Sequence, residues 1–130
     1  MYNHIRIFVY GSLLPGLSNH NVIATYLLAD SPGRIHGRLV DLGEYPALLL
    51  GGKRFVRGVW MDVLRDGLPA LDELEGFIGI EESNDYDRVW ITDADESAKS
   101  GWTYVWAESR GFPFFDGEWW PDSADGRAGA

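Results

Sequence analysis

The chain has 130 residues, of which 45% are hydrophobic and 24% charged, and it contains no cysteine. This composition predicts one globular domain with its own core, and it excludes disulfides, thiolate metal sites and cysteine nucleophiles. Eleven basic residues against twenty acidic ones give a formal charge of −9. Binding to nucleic acid or to an anionic membrane is disfavoured, because phosphate contacts need clustered Lys and Arg. We therefore expect a small molecule or a protein as partner.

The termini carry no pattern typical of export. The first residues lack a long apolar region followed by a small-residue cleavage site, and no stretch approaches the roughly 20 apolar residues that span a bilayer. We expect a cytoplasmic protein with a single domain over residues 1–120. A small, polar tail over residues 121–130 is predicted to be disordered.

The first predicted elements are a buried strand and a short helix. Residues 5–10 are β-branched and aromatic, which predicts a strand that stops at Gly11. Ser18 or Asn19 is a candidate cap for the helix, which is expected to end at the turn formed by residues 30–33. The apolar residues of this helix are Val22, Ile23, Tyr26 and Leu27.

The middle of the chain predicts half-buried strands. Polar and apolar residues alternate over 34–41, and a turn at 43–46 leads into the apolar run 47–50, which together indicate a hairpin. Residues 51–53 predict a further turn before a strand over 55–63. Gly58 lies inside that strand, where a glycine marks a bulge or a close approach of backbone or ligand.

The second half predicts one helix and two strands. Pro69 suits the first turn of a helix over 68–75, and Gly76 is placed to end it. Strands are predicted over 87–92 and 101–106. Six strands and two short helices indicate an α+β protein with a small, mixed, mostly antiparallel sheet curled towards a β-barrel.

Helical geometry places one acid of the second helix on its apolar side. At about 100° per residue, Glu75 falls about 40° from Leu71, inside the stripe of leucines. Glu73 points to solvent and Asp72 lies at the edge of the stripe. A carboxyl among leucines loses hydration, which raises its pKa towards neutrality and suits it to general acid and base catalysis. If the helix ended one residue earlier, Glu75 would turn out to water.

The segment that follows the first strand is a candidate anion site. In a Gly-Ser turn, successive backbone N–H groups can converge on a carboxylate. The segment matches neither the phosphate-binding P-loop, nor the dinucleotide fingerprint, nor the nucleophile elbow of hydrolases. A tight turn that uses glycine for a positive φ is the alternative explanation.

Other clusters give weaker indications. A nucleophilic Ser12 would require a histidine partner. The acid-rich residues 81–87 lack the glycine and the closing glutamate of a calcium-binding loop, so we interpret them as a solvated loop. Alternating aromatic residues over 102–106 predict one packed face of a strand. Three histidines show no metal-ligand spacing and are interpreted as surface or packed residues: His4, His20 and His36.

Six short motifs stand in a specific order between about Ile7 and Trp119. They are Tyr10-Gly11-Ser12-Leu13, Gly43-Glu44-Tyr45-Pro46-Ala47, Val56-Arg57-Gly58-Val59-Trp60, Leu71-Asp72-Glu73-Leu74-Glu75-Gly76, Tyr86-Asp87-Arg88 and Asp116-Gly117-Glu118-Trp119. Together they resemble the γ-glutamylcyclotransferase-like family, which includes γ-glutamylamine cyclotransferases and AIG2-like proteins.

This resemblance implies a small mixed barrel with a pocket at one end. It implies intramolecular aminolysis, in which the α-amine of a γ-glutamyl group attacks its own γ-carbonyl and releases 5-oxoproline and a free amine, without metal or cofactor. Glu75 would be the catalytic acid and base. The residues expected to contact the substrate are Tyr10, Gly11, Ser12, Leu13 and Tyr86.

Several roles stay open at this point. The N–H groups of residues 11–13 would hold either the substrate α-carboxylate or the developing oxyanion. Arg88 would orient a loop or pair with an acid. For Tyr10, Tyr86 and Arg88, aromatic packing with a surface ion pair is an equal alternative.

The segment between the second helix and Tyr86 departs from the family pattern. Residues 77–85 are longer and more acidic than the resemblance leads us to expect, and such a rim would favour a basic leaving group. A non-catalytic module of the same fold, which binds a small carboxylated ligand or a protein, is the alternative function. It would be indicated by an exposed or ion-paired Glu75 with no adjacent cavity. A divalent-cation site in the acidic loop is a third hypothesis.

Overall fold

The structure, a computed structural model, describes residues 4–79 and 83–123. Its elements in chain order are β1 (His4–Val9), α1 (His20–Ala24), β2 (Leu27–Asp41), β3 (Pro46–Leu64), α2 (Leu68–Glu75), β4 (Asp87–Thr92) and β5 (Ser100–Val105). Short 3-10 helices, Arg65–Gly67 and Trp120–Ser123, precede α2 and close the described chain. No helix within these ranges is long and apolar enough to cross a membrane.

The five strands form one open sheet in the order β2-β3-β1-β5-β4. All neighbours are antiparallel except β1 and β5, which are parallel. This confirms the mixed, mostly antiparallel α+β architecture with two short helices. The curl does not close into a barrel, because β2 and β4 are edge strands and do not pair with each other over the described residues.

The central strand β1 divides the core into two apolar clusters. Side chains alternate along a strand, so Ile7 and Val9 join the cluster beneath the helices, while Phe8 joins the cluster on the other side. The helices contribute Ile23 and Leu71 to the first cluster, and both are fully buried.

The first helix is shorter than its sequence predicts. α1 ends at Ala24, and β2 begins at Leu27, so the predicted turn over 30–33 is wrong. These four residues pair with residues 58–61 of β3 as part of a continuous ladder. Pro32 is tolerated because it is exposed and lies on an edge strand, where a missing N–H leaves no second ladder unpaired. Pairing with β3 therefore overrides the local turn preference.

The predicted turn over 51–53 is a bulge inside one long strand. β3 is continuous from Pro46 to Leu64, and its register with β2 jumps between the pairs His36–Phe55 and Gly37–Leu50. Gly51 and Gly52 adopt φ of +96° and +81°, conformations that side chains disfavour. The two predicted strands on either side of these glycines are thus two parts of β3.

The second half follows its sequence pattern closely. α2, β4 and β5 occupy the predicted ranges to within a residue at each end. α2 ends at Gly76, whose φ of +66° gives the left-handed cap that glycine favours. Of the predicted tail, residues 124–130 lie outside the described residues.

We predict that Gly58→Ala destabilises the protein strongly. A Cβ at this position would clash with the Val9 carbonyl oxygen and the Phe8 ring. The close approach that the sequence predicts at Gly58 is therefore an approach of the neighbouring strand β1. We expect the free energy of unfolding to fall by about 3 kcal/mol in urea denaturation. Gly51→Ala, with a positive φ but nothing within 4 Å, should cost only about 1 kcal/mol. Equal losses would contradict this steric argument.

Candidate active site

A cavity of about 570 Å³ opens where β1 ends. Its size is that of a small-molecule site. The wall is formed by the loop after β1, the hairpin turn between β2 and β3, the end of α2, and the segments around Tyr86 and beyond β5. All six predicted site residues line it: Tyr10, Gly11, Ser12, Leu13, Glu75 and Tyr86.

Hydrogen bonds from Asn19 and His20 fix the loop over residues 10–13. Asn19 clamps Ser12 twice, since its backbone N–H donates to the Ser12 carbonyl (2.8 Å) and its side-chain amide donates to the Ser12 hydroxyl (2.9 Å). The His20 ring donates from Nδ1 to the Leu13 carbonyl at 2.8 Å. Position 11 has no room for a side chain, because a Cβ there would lie 2.8 Å from the Pro46 ring. The loop is therefore a rigid part of the cavity wall.

The backbone N–H groups of this loop remain available. Over the described parts of the chain, the N–H groups of Gly11, Ser12 and Leu13 donate no hydrogen bond to a protein acceptor. Successive free N–H groups on one turn carry partial positive charge and favour an anion. The loop can thus receive a carboxylate or an oxyanion.

Glu75 is placed by the last turn of α2. Leu71 is fully buried and anchors the helix, while Glu73 is exposed. Glu75 is half-buried and lines the cavity, as the helical angle predicts. Leu74, the third leucine of the stripe, is 38% exposed and also lies on the cavity.

The Glu75 carboxyl has no compensating charge. No hydrogen bond or ion pair to it forms with any residue in the described ranges. Burial raises its pKa from 4.5 to about 7, because a charged carboxylate loses hydration there. Close to neutral pH this group can both accept and release a proton.

Two buried tyrosines stand near Glu75. The Tyr10 hydroxyl donates to the Tyr104 carbonyl (2.6 Å), and the Tyr86 hydroxyl donates to the Pro46 carbonyl (2.8 Å). Burial, followed by the nearby Glu75, raises the pKa of both phenols well above 10. Both phenols therefore stay neutral, their hydroxyls are held by these hydrogen bonds, and both residues line the cavity.

An Asp-Tyr-Arg network, which the sequence did not reveal, fixes α2 against β5. The Tyr104 hydroxyl donates to Asp72 Oδ1 at 2.7 Å, and Arg88 Nε lies 3.0 Å from the same oxygen. Arg88 is thus paired with an acid, one of the two roles expected for it. Its guanidinium also stacks over Phe77 and Trp102. The sequence predicted only that Asp72 lies at the edge of the apolar stripe of α2.

The structure does not bring together the residues that a Ser12 nucleophile or a metal site would need. The side chain on Ser12 Oγ is the Asn19 amide, not a histidine. Within residues 4–79 and 83–123, no three His, Asp or Glu side chains are close enough to hold a metal ion. The acid-rich loop lies partly outside the described residues. At its borders, the Asn84 amide donates to the Gly79 carbonyl and to Asp87.

We predict that Glu75→Gln changes how stability depends on pH. The unfolded chain loses this proton near pH 4.5, whereas the folded protein keeps it up to about pH 7. Because the folded state holds the extra proton in this interval, wild-type stability falls as pH rises through it. The variant lacks this loss, so its stability relative to wild type should rise by about 2 to 3 kcal/mol between pH 4 and pH 8.

Urea denaturation at these two pH values tests this expectation. Glu73→Gln, at an exposed position of the same helix, should show a much smaller change. A pH-independent difference between Glu75→Gln and wild type would show that the carboxyl is well hydrated.

Comparison with known proteins identifies the family of the chain. Residues 7–122 match the family described as gamma-glutamyl cyclotransferase, AIG2-like. The chain is 38% identical over 105 residues to the gamma-L-glutamyl-butirosin B gamma-glutamyl cyclotransferase of Niallia circulans, a match that covers 78% of this chain and 66% of that relative.

Solved structures share the fold. An AIG2-like protein from Mus musculus is 25% identical with a TM-score of 0.69, and 88% of each chain is covered. YkqA from Bacillus subtilis is 17% identical with a TM-score of 0.73, where 98% of this chain covers 43% of that protein. The chain thus spans less than half of YkqA and about two thirds of the Niallia relative. The chain belongs to the AIG2-like gamma-glutamyl cyclotransferase family.

Proposed function

We propose that the protein cyclises a γ-glutamyl amide or amine to 5-oxoproline and releases the free amine, with Glu75 as general acid and base. The reaction needs no metal or cofactor, because the nucleophile is part of the substrate. Family membership and the named activity of the Niallia relative support a cyclotransferase.

One observation carries this proposal. A half-buried carboxyl without a partner, with its pKa raised to about 7, lines the same cavity as a loop of free N–H groups. An unpaired acid with little access to water costs stability, and perturbed groups of this kind concentrate at functional sites. The cavity supplies the space that a reacting substrate requires.

In this proposal, one residue carries out both proton transfers. Glu75 in its carboxylate form takes a proton from the neutral α-amine of the substrate as the amine nitrogen forms a bond to the γ-carbonyl carbon. Glu75 then gives that proton to the leaving nitrogen as the original amide bond breaks. The ionised and neutral forms of Glu75 must both be accessible, which a pKa near 7 allows.

The loop over residues 11–13 orients the substrate in this proposal. Its N–H groups bind the α-carboxylate, which fixes the α-amine of the same carbon near Glu75. Tyr10 and Tyr86 form rigid walls that keep the γ-glutamyl chain folded, so that the amine and its own carbonyl meet. Holding a flexible substrate in a reactive conformation can supply a large part of the rate enhancement.

The alternative function is a non-catalytic binding module. It required an exposed or ion-paired Glu75 without a cavity, whereas the described residues place an unpaired Glu75 on the cavity wall. The geometry therefore favours the enzyme. The binding module remains the conclusion if the wild-type protein releases no 5-oxoproline.

We predict that Glu75→Gln abolishes turnover while the protein stays folded. The amide cannot take up or deliver the proton, so kcat should fall at least about a thousandfold. The measurement is 5-oxoproline release from γ-glutamyl dipeptides, γ-glutamyl amines and ε-(γ-glutamyl)-lysine. Glu73→Gln is the matched control on the exposed side of α2 and should keep wild-type activity.

The pH profile gives a second readout of the same group. Since the carboxylate form must accept the first proton, kcat/KM should rise with pH through an apparent pKa near 7. Full activity of Glu75→Gln, or a profile without this transition, would remove Glu75 from the mechanism.

A further inference from the structure

Arg110 is a cation fixed on the cavity wall that the proposed reaction does not use. Its guanidinium carbon lies 4.0 Å from the centroid of the Trp106 ring. One terminal nitrogen, Nη2, donates to the Asp85 carbonyl at 2.9 Å. Arg110, Trp106 and Asp85 all line the cavity. A flexible side chain is thus held in one place by two contacts.

The backbone of Arg110 is also unusual. Its φ of +53° is the only positive value among the non-glycine residues described. Residues with a side chain disfavour this region of backbone conformation. Gly111 follows with φ of +86°, so the two residues make a tight turn that presents the arginine to the cavity.

The charge of Arg110 is not neutralised by a neighbouring acid. Over residues 4–79 and 83–123, no carboxylate lies within ion-pair distance of it. The Asp85 contact uses the backbone carbonyl, and the Asp85 side chain packs beside Gly76 at the end of α2. Stacking on Trp106 leaves the remaining N–H edge of the guanidinium free, and that edge matches a carboxylate in geometry.

The position of Arg110 decides which half of a substrate it can meet. The γ-glutamyl half must lie beside Glu75 and the loop over residues 11–13, because its own amine and carbonyl react there. Arg110 is exposed and belongs to a different segment of the wall. With the γ-glutamyl half placed there, the departing amine is the half of the substrate left to meet Arg110.

We propose that Arg110 binds a carboxylate on the amine half of the substrate, so that the enzyme selects γ-glutamyl conjugates of amino acids over those of neutral or basic amines. This inference rests on the proposed function. It opposes the expectation, drawn from the acidic segment over residues 77–85, that the leaving group is basic. Arg110 is then a specificity-determining residue.

Three substrates that share the γ-glutamyl half test this selectivity. They are γ-glutamyl-L-alanine, γ-glutamyl-L-alaninamide, in which the carboxylate is replaced by a neutral amide of similar size, and γ-glutamyl-putrescine. Each is assayed for 5-oxoproline release with wild type and Arg110→Gln. Arg57→Gln is the matched control, because Arg57 also stacks on an indole, that of Trp119, but lies outside this cavity.

We expect wild type to prefer γ-glutamyl-L-alanine to the alaninamide by at least about tenfold in kcat/KM, mainly through KM. Arg110→Gln should remove most of that ratio, whereas Arg57→Gln should leave it unchanged. Circular dichroism of the variants verifies that the fold is retained.

The other outcomes separate the two proposals. If Arg110→Gln lowers turnover of all three substrates equally, Arg110 acts on the common γ-glutamyl half, and this inference is wrong while the proposed function stands. A preference for γ-glutamyl-putrescine likewise overturns the inference alone. If wild type releases 5-oxoproline from none of them or from the wider substrate panel, the proposed function fails and the inference with it.

Discussion

The candidate site depends on Tyr104, which joins the three elements that build it. Its backbone carbonyl accepts the hydrogen bond from Tyr10 at the end of β1, and its hydroxyl donates to Asp72 on α2. Asp72 is paired in turn with Arg88 on β4. Because α2 carries Glu75 three residues after Asp72, one chain of polar contacts sets the position of the carboxyl relative to the loop after β1. Partly buried polar contacts of this kind restrict the movement of the elements they connect.

The electrostatics of the cavity contrast with those of the whole chain. The protein has a net charge of −9, yet the cavity offers anions the free N–H groups of residues 11–13 and the guanidinium of Arg110. Glu75 does not oppose this strongly, because burial keeps it largely protonated below about pH 7. In the proposed reaction, the removal of water from Glu75 therefore serves both proton transfer and tolerance of an anionic substrate.

Sequence patterns predicted the elements that depend on local rules. The proline and glycine at the two ends of α2 set its limits, and helical periodicity put Glu75 beside Leu71 and Glu73 in solvent. The strands β4 and β5 followed from β-branched and aromatic runs. The pattern failed at residues 30–33 and 51–53, where turn-forming residues lie inside strands. Around these segments, the ladder between β2 and β3 pairs residues that are 13 to 31 positions apart, and local preference does not contain that information.

The sequence by itself determined the fold class, the family resemblance and the position of Glu75 on the apolar side of α2, because periodicity, turn residues and motif order are local properties of the chain. Only the tertiary structure decided what surrounds that acid. The Asp72–Tyr104–Arg88 network joins residues that are 16 to 32 positions apart. In addition, Arg110, in the loop after β5, stacks on the Trp106 ring. Such contacts arise from strand order and helix packing, so no spacing along the chain records them.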